Sequence, residues 1–132
     1  MNSGLQKSRN KGLGIKKQIN NFKYCFAGIG YALKNEQSMI SHFIITIVTV
    51  GLGFFFKISK MEWICVVFCI GLVVSLELIN TAVEAVCDVA MPDLHPLVKI
   101  AKDSSAAAVL IGAITALIIG ILIFLPKILQ LF

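Results

Sequence analysis

One segment of the chain, residues 63–90, is long and apolar yet contains four polar side chains at helical spacing. Glu77, Asn80, Glu84 and Asp88 follow one another at steps of three, four and four residues. At about 100° per residue these steps return to nearly the same side of an α-helix, so three carboxyl groups and one amide form a polar stripe. A carboxylate in membrane hydrocarbon costs about 2.5–3.5 kcal/mol on insertion scales. We therefore expect the stripe to meet cations, water or substrate, which makes it the candidate active site.

The chemistry that this stripe suits best is phosphoryl transfer to an alcohol held in the membrane. Glu84 could bind Mg²⁺, which prefers oxygen ligands and is usually held by one or two carboxylates together with nucleotide phosphates and water. Lys102, followed directly by Asp103, could neutralise charge that develops on a phosphate. Glu77 could act as general base and accept the proton of a lipid hydroxyl.

Trp63 indicates how deep the stripe lies, because tryptophan is enriched at the membrane–water interface. At about 1.5 Å per residue, Glu77 lies about 21 Å along the helix from Trp63, and Glu84 lies about 32 Å from it. The hydrocarbon core of a membrane is about 30 Å thick. We therefore expect Glu77 within the hydrocarbon, Glu84 at its boundary and Asp88 outside it.

The composition indicates that the helices which position this stripe lie in a membrane. Of the 132 residues, 58% are hydrophobic, and the mean hydropathy is +0.88, far above that of an ordinary soluble domain. Three apolar segments are long enough to cross a hydrocarbon core of about 30 Å; they are residues 39–56, 63–90 and 106–125. The sequence therefore predicts an all-α membrane protein with three transmembrane helices and one domain, residues 14–132.

The residues before the first apolar segment divide into a tail and a helix. Residues 1–13 are rich in Lys, Asn, Ser and Gly, which predicts a disordered basic tail. Over about residues 15–35, apolar side chains recur at steps of three or four, and Lys16, Lys17 and Lys23 occupy the other face. This pattern is typical of an amphipathic helix on a membrane surface, and a helix packed against the bundle would show it too.

The basic residues are placed unevenly along the chain. Seven precede the first apolar segment, two lie between the second and third, and three, Lys57, Lys60 and Lys127, fall on the other side. The positive-inside rule then predicts a multi-pass protein of the cell membrane with the N-terminus and active site cytoplasmic and the C-terminus outside. Nucleic-acid binding is not expected, because no supporting motif accompanies the basic residues; attraction to anionic lipid headgroups explains them more simply.

The third apolar segment carries a ridge of small residues. Ala108, Gly112, Ala116 and Gly120 recur at every fourth position, and such a ridge lets another helix approach closely. The ridge could serve packing within one chain. Since three spans make a thin bundle, we expect self-association.

Standard nucleotide-binding motifs are absent from the sequence. It contains no GxxxxGK[ST], no Gly-rich loop following a strand pattern, and no HRD or DFG tripeptide. Any nucleotide site must then be built from helix faces and from the proline-flanked loop at residues 91–97, which makes Asp93 a candidate for ATP binding.

The stripe and the residues that follow it resemble one known family. The pattern ExxNxxxExxxD, from Glu77 to Asp88, is followed by His95-Pro96-Leu97 and by Lys102-Asp103. Over about residues 17–132 the chain resembles the prokaryotic integral-membrane diacylglycerol kinase family, with three spans in the expected order. The motifs are highly specific for a chain of this length.

This resemblance implies a homotrimer with composite sites between neighbouring subunits, ATP as phosphoryl donor, and Mg²⁺. Glu77 matches the catalytic base, and Asn80 matches a neighbour of the base that binds substrate. Glu36 and Glu84 match glutamates that bind both metal and ATP. The other positions that match nucleotide-contacting residues of the family are Tyr24, Asp88, His95, Lys102 and Asp103.

Three positions depart from the branch of the family that uses diacylglycerol. Lys17, a candidate for binding ATP and substrate, stands in place of an arginine and offers a point charge instead of a bidentate grip. His42 replaces a glutamate and Ala106 a serine near that branch's lipid site. Residues 95–97 and 123–127 look more like the Gram-positive branch, which typically phosphorylates undecaprenol. We expect undecaprenol as the acceptor, with diacylglycerol as the alternative.

Two other protein classes fit part of the sequence. A holin-like membrane protein would be short and basic with three spans, and a small multidrug transporter would use a membrane glutamate to couple protons. Neither class requires several acids and a Lys-Asp pair near the headgroups, so both are weaker interpretations than a lipid kinase.

Overall fold

Four α-helices make up nearly all of residues 14–91 and 95–132, which are the residues that the computed structural model describes. They are α1 (Ile15–Asn35), α2 (Gln37–Phe55), α3 (Lys60–Ala90) and α4 (Pro96–Leu129). The last three are each long and apolar enough to cross a membrane, and no strand occurs in the described ranges. The prediction of an all-α protein with a leading helix and three spans is confirmed. The predicted basic tail lies outside the described residues.

The helices α3 and α4 extend beyond the apolar segments expected for them. α3 has 31 residues and α4 has 34, so their lengths are about 46 Å and 51 Å at 1.5 Å per residue. α4 begins at Pro96 instead of near residue 106, because His95 caps the helix and a proline suits its first position. Both helices therefore continue past a hydrocarbon core of about 30 Å, and the charged residues near Asp88 and Lys102 lie on the extensions.

A single extended residue, Glu36, separates α1 from α2, with φ −109° and ψ 111°. α1 contacts both α2 and α3, and its buried residue, Ala32, lies close to this junction. The apolar face of α1 is uncovered: Ile15, Phe22 and Phe26 are between 66% and 78% exposed. In the single chain this face is left free to lie on lipid.

The start of α3 is fixed by a capping box and an ion pair. The Ser59 hydroxyl accepts from the Glu62 N–H at 3.3 Å, and the Glu62 carboxylate accepts from the Ser59 N–H at 2.6 Å. Glu62 also pairs with Lys127 of α4 at 3.0 Å. These contacts join α3 and α4 at the end of the bundle opposite the polar stripe.

A small hydrophobic core lies at that same end, around Ile58, Val66, Ile123 and Phe124. Gly53 of α2 lets the indole of Trp63 approach its backbone, since a Cβ at this position would lie 2.7 Å from Trp63 Cη2. The indole is a rigid ring, so the whole Trp63 side chain would have to move to make room for a methyl group on residue 53.

Gly53→Ala is therefore expected to lower the free energy of unfolding by about 1–3 kcal/mol, the range typical of overpacking. Gly51→Ala is the matched control, because it adds the same methyl to the same helix where nothing lies within 4 Å. Thermal unfolding of both variants in one detergent measures the difference. Equal unfolding temperatures would contradict the expectation.

A groove of about 720 Å³ runs between α2 and α4, with α3 as its floor. Its lining is mostly apolar and includes Ile45, Val73, Ala116 and Phe124, and His42 is also among the lining residues. Because neighbouring helices run antiparallel, the groove extends from the level of the stripe towards the core around Phe124.

Candidate active site

The polar stripe occupies a face of α3 that is buried at one end and open at the other. Glu77 is 2% exposed and Asn80 is 9% exposed, whereas Glu84 is half-buried and Asp88 is exposed. The exposure of the four side chains therefore increases along the stripe from Glu77 to Asp88. The buried end lies where α2 and α4 both contact α3.

Two side chains of α2 hold the carboxylate of Glu77. The Ser38 hydroxyl donates to Glu77 Oε2 at 3.0 Å, and His42 Nε2 lies 3.0 Å from Glu77 Oε1. Ser38 was not among the predicted site residues, and His42 was noted only as a replacement for a glutamate. A serine and a histidine four residues apart in an apolar span are the signal in the sequence that could have found this pair.

Asn80 connects the stripe to α4. Its Nδ2 donates to Glu84 Oε1 at 3.0 Å, and its Oδ1 accepts from the Ser105 hydroxyl at 2.7 Å. The Ser105 hydroxyl also lies 2.9 Å from the carbonyl of Lys102. Ser105 was not predicted either. The diacylglycerol-using branch has a serine at the position of Ala106, and Ser105 supplies a hydroxyl one position earlier.

The charged residues at the open end form two ion pairs. Lys102 of α4 pairs with Asp88 of α3, and Asp103 pairs with Lys99 one turn away. The neighbouring residues Lys102 and Asp103 therefore have separate partners. The first pair joins α3 to α4 beside Glu84 and places a cation next to two carboxylates.

Three other predicted site residues belong to α1 and to the α1–α2 junction. Lys17 and Tyr24 are exposed on α1, and Glu36 is half-buried at the α1–α2 junction. In the described part of the chain, none of their side chains forms a hydrogen bond or ion pair with the stripe.

Two further predicted residues belong to the connection between α3 and α4. His95 is the N-cap of α4, and its Nδ1 accepts from the Leu97 N–H at 3.2 Å. Asp93 lies outside the described residues, so its predicted role in ATP binding stays a prediction.

The oxygen donors of the stripe suit a hard cation such as Mg²⁺. Among residues 14–91 and 95–132, no group of three or more His, Cys, Asp or Glu side chains could hold a metal by itself. A Mg²⁺ site usually has only one or two protein carboxylates, because phosphates and water complete the coordination. Within the same ranges, the buried hydroxyl of Thr81, one turn before Glu84, has no hydrogen-bond partner.

The family model described as prokaryotic diacylglycerol kinase matches residues 23–124, which include the whole stripe. The chain is 36% identical to the undecaprenol kinase of Bacillus subtilis over 86% of this chain and 92% of that protein. It is 35% identical to the diacylglycerol kinase of Haemophilus influenzae over 86% of this chain and 98% of that protein. It is 28% identical to the diacylglycerol kinase of Escherichia coli over 83% of this chain and 89% of that protein. The chain belongs to the prokaryotic diacylglycerol kinase family, a family of lipid kinases.

Proposed function

We propose that this lipid kinase transfers the γ-phosphoryl group of ATP to undecaprenol. The observation that carries the proposal is the position of Glu77. Its carboxylate is buried at the junction of α2, α3 and α4, and the His42 side chain that contacts it also lines the apolar groove. A hydroxyl whose apolar tail lies in this groove would reach the buried carboxylate from the membrane side.

In the proposed reaction the lipid hydroxyl oxygen attacks the γ-phosphorus while Glu77 accepts the hydroxyl proton. A bond forms between the lipid oxygen and phosphorus, the bond from phosphorus to the β–γ bridging oxygen breaks, and ADP leaves. The products are the lipid monophosphate, ADP and a proton on Glu77, which is later released to water.

The open end of the stripe would receive the nucleotide. Lys102 would stabilise negative charge on the phosphates, and Glu84 together with Glu36 would supply the protein oxygens for Mg²⁺. Bound Mg²⁺ would offset phosphate charge. The half-buried position of Glu84 supports this role, because it lies between the buried Glu77 and the exposed Asp88.

Undecaprenol is favoured over diacylglycerol by sequence similarity and by local chemistry. The relative named undecaprenol kinase is 36% identical to the chain. The groove is mostly apolar, which suits a long hydrocarbon tail without ester groups. Diacylglycerol is the second candidate, because relatives that cover most of the chain are named diacylglycerol kinases.

A homotrimer with shared sites is part of the proposal. Lys17, Tyr24 and Glu36 make no hydrogen bond or ion pair with the stripe of their own chain among the described residues, and in the proposed trimer they would complete the stripe of a neighbouring subunit. On the small-residue ridge, Gly112 packs against Leu76 within the chain, since a Cβ there would lie 2.6 Å from Leu76 Cδ1. A Cβ on Gly120, which also lines the groove, would meet nothing within 4 Å, so this part of the ridge is not used for packing within the chain.

Membranes that contain the protein can be supplied with labelled ATP, Mg²⁺ and either undecaprenol or diacylglycerol in one detergent condition. We expect a higher initial rate with undecaprenol. A higher rate with diacylglycerol would establish the alternative acceptor. If no phosphorylated lipid exceeds that from empty membranes, the proposed reaction is wrong.

A further inference from the structure

Both oxygens of the Glu77 carboxylate are occupied by side chains from one face of α2. Ser38 contacts Oε2 and His42 contacts Oε1, each at 3.0 Å. The two residues lie one helical turn apart, so a single helix face presents both groups to the carboxylate. The Glu77 side chain is 3% exposed and that of His42 is 21% exposed.

Two contacts constrain a carboxylate in a way that one contact does not. A single hydrogen bond leaves the group free to rotate about its terminal torsion, which is broad for glutamate. Contacts to both oxygens restrict rotation of the carboxylate, and a His42 Nε2 that carries a hydrogen attracts the ionised Oε1 at 3.0 Å. The orientation of the carboxylate is thereby set by α2, although Glu77 belongs to α3.

We propose that Ser38 and His42 are positioning residues that hold Glu77 in the orientation needed to accept the proton of the lipid hydroxyl. The proposal rests on Glu77 being the general base of the proposed function. His42 also lines the groove. Its imidazole therefore lies between Glu77 and the surface that the lipid tail would occupy. Misplacing a catalytic group by about 1 Å can cost about 10²-fold in rate. Contacts to both carboxylate oxygens would prevent such a displacement.

A purely structural role predicts a different result. Burial of a carboxylate requires partners, so Ser38 and His42 could serve stability alone. In that case their loss would lower the amount of folded protein and leave the turnover per folded molecule unchanged. Turnover must therefore be measured per folded protein, and a donor-retaining variant must be compared with a donor-lacking one.

The decisive variants are His42→Leu, which removes the imidazole donor, His42→Gln, which retains an N–H donor, and Ser38→Ala. Ser41→Ala is the matched control, because Ser41 also lies on α2 but does not line the groove, and its hydroxyl donates to the Gln37 carbonyl of its own helix at 3.2 Å. We expect His42→Leu to lower kcat for undecaprenol by about tenfold to hundredfold, with the KM for Mg-ATP within about twofold of its original value. Ser38→Ala should show a smaller loss of the same kind.

His42→Gln should recover most of the activity that His42→Leu loses, and Ser41→Ala should behave like the unmodified protein. The proposal is overturned if His42→Leu keeps its kcat, if His42→Gln is no better than His42→Leu, or if the KM for Mg-ATP rises as kcat falls. An unmodified protein that phosphorylates no lipid would refute the proposed function, which is a different outcome from an active protein insensitive to these changes.

A spectroscopic measurement tests the contact without turnover. The chain has two histidines, so a His95→Gln variant assigns the imidazole ¹⁵N signals of His42. Glu77→Gln should shift the Nε2 signal of His42, because the charged oxygen beside it becomes a neutral amide group. An unchanged signal would remove the contact on which the proposal depends.

Discussion

Replacement of Glu77 by glutamine is expected to lower the rate of phosphoryl transfer by about 10²–10⁴-fold, the contribution typical of a general base. The amide has nearly the shape of the carboxylate but cannot accept the proton of an alcohol. Its oxygen can still accept from the Ser38 hydroxyl, which donates to Glu77 at 3.0 Å. The bundle should therefore stay folded and continue to bind nucleotide.

Single-turnover rates at saturating Mg-ATP and undecaprenol measure this effect, together with separate measurement of nucleotide affinity. Glu62→Gln is the matched control: it makes the same change on α3, at the end opposite the site, and glutamine can also complete a capping box. Substantial turnover by Glu77→Gln would remove Glu77 as the base.

Glu84→Gln is expected to weaken Mg-ATP binding and transfer together, by at least about tenfold, since even changes to the outer partners of metal ligands cost about 10–100-fold in affinity or activity. The glutamine oxygen can still accept from Asn80 Nδ2, which donates to Glu84 Oε1 at 3.0 Å. The geometry of the stripe should therefore survive, and the lost negative charge should account for the effect.

Initial rates over a range of free Mg²⁺ concentrations at fixed ATP measure this change. The Glu84→Gln variant should need more Mg²⁺ for half-maximal rate, whereas Glu62→Gln should follow the original curve. If the Mg²⁺ dependence of Glu84→Gln were unchanged, its metal role would be refuted. We expect Glu77→Gln to lower the transfer rate alone and Glu84→Gln to lower both the Mg-ATP affinity and the transfer rate. This difference would distinguish the base from the nucleotide-binding end of the stripe.

Local geometry explains how much of the site could be predicted from the sequence. The steps between Glu77, Asn80, Glu84 and Asp88 fix one helix face through the 3.6-residue period alone. Apolar length likewise predicted three spans, because hydrocarbon thickness sets the minimum length of a helix. Local sequence did not locate the first residue of α4, which is Pro96, nor the pairing of Lys102 with Asp88.

The sequence by itself determined that a stripe of acids would lie on one membrane helix, since helix periodicity and hydropathy are properties of neighbouring residues. The tertiary structure alone decided which groups hold those acids. Ser38 is 39 positions from Glu77, and Ser105 is 25 positions from Asn80. Contacts over such separations depend on which face of α2 or α4 turns towards α3. That choice is made by the packing of whole helices, and no local pattern of residues encodes it.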